Sequence, residues 1–80
     1  MISNLTNDIE RNPSLRKTYQ DQALEFAIIV VKLRDELGWS QRKLAGKLGK
    51  PQSTIARIEN GDSKPNLDTM EAIAEVTNKN

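Results

Sequence analysis

The chain has 80 residues and a formal net charge of +1, enough for one small domain with a thin core. It contains no cysteine and no histidine, which excludes disulfides, thiolate or imidazole metal sites and histidine-dependent catalysis. No run of about 18 apolar residues occurs and no signal peptide is legible at Met1, so a cytoplasmic protein away from membranes is expected.

The charge is unevenly spread. Residues 1–39 sum to −1 and residues 65–80 to −2. Residues 40–64 carry Arg42, Lys43, Lys47, Lys50, Arg57 and Lys64 against Glu59 and Asp62, a net +4. A local basic stretch between acidic flanks suits phosphate contact over that stretch alone. With histidine and cysteine absent, carboxylate pairs alone make a weak case for catalysis, so an enzyme is the weakest functional class. Neither cofactor nor metal is expected.

At the N-terminus, Ile2, Leu5 and Ile9 sit at i, i+3, i+7. This spacing predicts one short amphipathic helix, capped by Ser3 or Thr6 and closed near Asn12 before Pro13. Asn12 and Pro13 then read as the cap and first position of another short helix, with Leu15 and Tyr19 on one face. Asp21–Leu37 is predicted as the longest helix, ended by Gly38. One apolar stripe runs Phe26, Val30, Leu33, Leu37, and a second runs Leu24, Ile28, Val31. Ala27–Val31 is apolar all round and alone would suit a strand. Its flanking helix formers favour a helix. Such a helix needs cover on two sides. The segment after it provides one, and the N-terminal extension or a second protein must provide the other. Trp39 is expected to fill a corner at the core edge.

Ser40–Gly61 reads as two short helices joined by a tight turn. Ser40 caps the first, about Gln41–Leu48, and Gly49 ends it. The second starts at Pro51 or Gln52 and runs to about Asn60, where Gly61 stops it. Leu44, Ala45 and Leu48 share one face, as do Ile55 and Ile58. Gln52, Ser53, Ala56, Arg57 and Asn60 are left outside. Arg42 and Lys43 lie in a first turn, where positive charge opposes the helix dipole and a bound phosphate would relieve the conflict. After a loop over Asp62–Pro65, Asn66 caps a last helix. Its expected buried face is Leu67, Met70, Ile73 and Ala74, and it fades by Thr77.

Residues 40–61 resemble the helix-turn-helix of Xre-family, lambda-repressor-like DNA-binding domains. The resemblance is carried by Ser40-Gln41, Leu44-Ala45, Leu48-Gly49, Gln52-Ser53-Thr54-Ile55, Arg57-Ile58-Glu59-Asn60-Gly61 and Lys64-Pro65. It extends from about Phe26 to about Val76. The stretch Asn12–Tyr19, NPSLRKTY, resembles the segment that precedes the domain in HigA-like antitoxins.

Those resemblances imply an all-α, lambda-repressor-like helix-turn-helix domain over 21–80, with the motif at 41–60. A short helical extension would occupy 1–20. They imply that Gln52, Ser53 and Arg57 read bases and that Gln41, Arg42, Lys43, Asn60 and Lys64 hold phosphates. They also imply an ion pair between Arg34 and Glu59. The implied partners are double-stranded DNA with a palindromic operator, a second copy of the chain on that DNA, and a small RNA-cleaving, RelE-like toxin. The source implied is prokaryotic or phage. The apolar surplus Leu5, Ile9, Leu15, Tyr19, Leu24 and Ile28 marks the expected toxin-binding surface. Some of it is expected to be covered by the first short helices folding back on the long one. The functional expectation is a repressor that is also the antitoxin of a type II toxin–antitoxin pair and regulates its own operon. The alternative is a stand-alone Xre-type regulator.

Overall fold

The computed structural model describes residues 12–78. Four helices follow in order: α1 Pro13–Leu37, α2 Gln41–Leu48, α3 Gln52–Glu59 and α4 Leu67–Thr77. No strand occurs among the described residues. The expected helix within Met1–Asn12, with Leu5 and Ile9, lies outside them apart from Asn12.

Helix α1 is a single 25-residue helix. The Asn12 side chain accepts from the backbone N–H of Ser14 and Leu15, and Pro13 stands in the first turn. The expectation of two helices here is corrected. Between Ser14 and Leu37 there is neither glycine nor proline. Each added residue therefore gains a backbone hydrogen bond, and nothing stops propagation through Tyr19 and Asp21. The helix runs unbroken across the expected boundary between residues 20 and 21. Leu15 and Tyr19 thus stay on α1 and do not fold back over it.

The middle of the chain follows its local signals. Ser40 Oγ accepts from the Lys43 N–H at 3.0 Å and opens α2. Gly49, at φ 65°, closes it in the left-handed conformation, and the Lys50 N–H reaches back to the Ala45 carbonyl. Pro51 stands at the cap of α3 rather than inside it, with ψ 149°, and contributes no side-chain cap.

The core is built where α1, α2, α3 and α4 meet. Val30, Leu44, Ala45, Ile55, Ile58 and Ile73 are buried together, with Leu33, Trp39, Leu48 and Val76 packed around them. Ala23 and Ala27 extend the buried seam of α1. Ala45 is small at the α2–α3 crossing, which lets the two backbones approach.

Helix α4 is rotated from the expected face: Ile73 is buried and Met70 half-buried as expected, but Leu67 and Ala74 are not buried. Thr69, Ile73 and Thr77 are buried, whereas Leu67 is 64 % exposed and Ala74 is exposed. The rotation is affordable for the threonine because Thr77 Oγ1 donates to the Ile73 carbonyl at 2.6 Å. Its hydroxyl is thereby satisfied inside the helix.

The second side of α1 carries no cover from any other described helix at its centre. Leu24 and Ile28 are 53 % and 68 % exposed there, while Ile29, 49 % exposed, lies on the α4 side with Met70, Ile73 and Ala74. Leu24, Ala27, Ile28 and Val31 floor an open groove of about 520 Å³, bounded by Lys32, Asp35, Glu36 and Glu59.

Candidate nucleic-acid interface

The outward face of α3 begins with Gln52 and Ser53 and continues one turn later with Arg57, all three exposed. Ile55 and Ile58 point the other way into the core, which fixes the rotation of the helix. Thr54 and Ala56 are half-buried at its flanks. Arg42 and Lys43 are exposed on the first turn of α2, and Asn60 is exposed at the end of α3. Gln41 and Lys64 are half-buried.

Glu59 is the acidic side chain on α3, and it faces inward. Arg34 Nε donates to Glu59 Oε2 at 2.8 Å and Arg34 Nη2 to Oε1 at 3.0 Å. The third guanidinium nitrogen, Nη1, donates to the Trp39 carbonyl at 2.8 Å. The side chains of Arg34 and Glu59 are 18 % and 6 % exposed. Burial pushes the Glu59 carboxyl up. The hydrogen bonds from Arg34 and Gln41 and the Arg34 charge push it down, and the balance lies below its ordinary value. The Glu59 hydrogen bond outweighs burial at Arg34 and holds its guanidinium more firmly protonated. Arg34 thus absorbs the negative charge of α3, and the outward face keeps only Arg57 as a charged group.

Two sets of contacts hold the basic rim. Lys43 Nζ and Lys47 Nζ each lie 5.5 Å from the centre of the Trp39 ring. Trp39 therefore carries two cations as well as closing the core edge. Lys47 belongs to the basic stretch but not to the residues expected to hold phosphates. The signal was the spacing Trp39, Lys43, Lys47, four residues apart each time. Lys64 is anchored to α1: its backbone N–H donates to Tyr19 Oη at 3.2 Å and its Nζ to Gln22 Oε1 at 2.8 Å. Leu24 lies against Gly61, where an added Cβ would meet Leu24 Cδ2 at 2.7 Å. Tyr19 and Leu24, expected only as partner-binding residues, therefore also brace the loop after α3.

A tight turn between two short helices, an exposed Gln/Ser/Arg face on the second and cations around it are the features of a helix-turn-helix, a motif whose second helix enters the DNA major groove. A family model described as helix-turn-helix matches residues 30–80. The chain belongs to this helix-turn-helix family, of the Xre or lambda-repressor-like kind. No curated protein and no solved structure matches the chain. The helix-turn-helix protein is accordingly a DNA-binding transcription regulator. No helix among the described residues is long and apolar enough to cross a membrane.

Proposed function

We propose that this helix-turn-helix protein is a sequence-specific repressor that binds a palindromic operator as a homodimer. The observation that carries this is the outward face of α3, where Gln52, Ser53 and Arg57 are exposed together while Glu59 is turned inward onto Arg34. Gln52, Ser53 and Arg57 read base edges. Gln41, Arg42, Lys43, Asn60 and Lys64 hold phosphates and set the register. One such helix spans few base pairs, so specific affinity needs two half-sites about 34–36 Å apart. Selection from a random duplex pool followed by footprinting tests this. A dyad-symmetric footprint is expected. Full affinity for a single, non-palindromic half-site refutes the dimeric reading.

The same protein acts as an antitoxin, neutralising a small RNA-cleaving toxin of the RelE-like class and repressing its own operon. This second role rests on the uncovered aliphatic face of α1 around Leu24 and Ile28, continued by Leu15 and Tyr19. Exposed Asp21, Glu25, Asp35 and Glu36 lie along α1 with it, against Lys32, the single cation at the groove edge among the described residues. An apolar strip with acidic edges suits a basic partner, and a nuclease that attracts RNA is basic at its active site. Ile28→Glu tests the role in cells that also express the neighbouring toxin. The variant should fold and bind DNA but fail to protect. Protection retained by the folded variant refutes the antitoxin role and leaves a stand-alone Xre-type regulator.

A further inference from the structure

The loop after α3 is pressed onto the first half of α1. Leu24 lies against Gly61, the Lys64 N–H donates to Tyr19 Oη at 3.2 Å, and Lys64 Nζ donates to Gln22 Oε1 at 2.8 Å. Tyr19 and Gln22 are neighbours on one face of α1, one turn apart. Beside them Ala23 is only 1 % exposed and lets the helix approach the loop. Gln22 is exposed and Lys64 half-buried, so their contact lies at the surface. Both Tyr19 and Gln22 precede residues 30–80, the stretch that belongs to the helix-turn-helix family.

These contacts act on different parts of Lys64. Pro65, which is buried, follows it directly and confines its backbone to the extended region. Tyr19 holds the backbone N–H. What is left to settle is a flexible four-carbon stem with an ammonium at its tip. Gln22 holds that tip. An ammonium only donates, so the amide must turn its oxygen to Lys64. The acceptor is neutral and occupies one of the three ammonium donors. Lys64 therefore keeps its whole charge and two N–H groups for a ligand. A surface lysine that binds phosphate gives up the rotamer freedom of its stem, which subtracts from the contact. A lysine already held at its tip has given that freedom up on folding.

We propose that Gln22 is a positioning residue that holds the Lys64 ammonium in place for a backbone phosphate of bound DNA. The first half of α1, which precedes the family domain, is then part of the DNA-binding machinery. The proposal rests on the DNA-binding reading given above and on Lys64 as a phosphate contact within it.

The test measures affinity over a range of salt for two duplexes, the one the wild-type protein selects from a random pool and a scrambled one. Gln22→Met keeps the side-chain length, the helix propensity and every charge, and thermal unfolding checks the fold. It should weaken both duplexes by the same factor, roughly two- to tenfold, which is the effect of immobilising one long side chain. The ratio between the duplexes should stay unchanged, because phosphate contacts carry no sequence information. In a Lys64→Ala background the same substitution should change nothing, since no ammonium is left to hold. A brace that only stabilised the fold would act whether or not Lys64 was present. Gln22→Glu keeps an acceptor for Lys64 but sets a negative charge against the phosphate. It should bind more weakly than Gln22→Met and lower the slope of log affinity against log salt by about one charge. A purely structural acceptor would leave Gln22→Glu binding like the wild type. Folded Gln22→Met with wild-type affinity overturns the proposal, as does an equal loss with and without Lys64. A wild-type protein that binds no duplex would instead defeat the DNA-binding reading, and the proposal with it.

Discussion

Removing Arg34 should expose how much the Arg34–Glu59 pair holds the recognition helix. In Arg34→Met the aliphatic stem is kept and the guanidinium is lost. Glu59 then keeps only the Gln41 hydrogen bond, in a side chain just 6 % exposed. An exposed pair would cost about 0.5 kcal/mol to break. A partly buried carboxylate left without its cation should cost about 3 kcal/mol. Urea denaturation at pH 7 measures this, with the midpoint falling at unchanged slope. The pH dependence separates causes. In the wild type Glu59 titrates below its ordinary value, so its stabilisation is present at neutral pH and is lost as the pH falls below about 4. Without Arg34, burial dominates and Glu59 should titrate above its ordinary value. The variant's penalty should therefore be smaller at pH 4.5 than at pH 7. Replacing both residues by methionine should recover part of the loss, because no charge is then stranded. A loss under about 0.5 kcal/mol for Arg34→Met, equal at both pH values, would refute the reasoning.

Arg57→Ala should cost about 1–3 kcal/mol of operator binding and relax preference at one base pair, read by repeating the selection with the variant. Lys43→Ala should weaken all duplexes alike and flatten the slope of log affinity against log salt by about one charge. Equal effects of the two variants on preference would contradict the division between base and phosphate contacts. Gly61→Ala should destabilise the fold by about 1–2 kcal/mol in thermal or urea unfolding, because Gly61 has φ 75° and its new Cβ would press on Leu24. Tyr19→Phe removes the acceptor for the Lys64 N–H and should cost about 1 kcal/mol of stability, with loss of amide-exchange protection at Lys64.

The chain's own residues determined every feature that depends on near neighbours. Asn12, Ser40 and Asn66 each accept a backbone N–H two or three residues on. Gly49 ends α2 and Gly61 takes up the left-handed turn after α3, because capping and backbone freedom are set within a few residues. The apolar spacing of α2 and α3 likewise named Leu44, Ala45, Ile55 and Ile58 for the core. The joining of two expected helices into α1 is also a local matter, because no glycine or proline separates Ser14 from Leu37, and the expectation misread it at the boundary between residues 20 and 21. What only tertiary structure decided were matters of which surface meets which. Periodicity left the rotation of α4 open by about one residue, and packing chose Thr69, Ile73 and Thr77 over Leu67 and Ala74. The Tyr19–Lys64 contact spans 45 residues, and the Gln41–Glu59 contact spans 18. Such contacts leave no local periodic trace, because they exist only once the helices have taken their crossing angles.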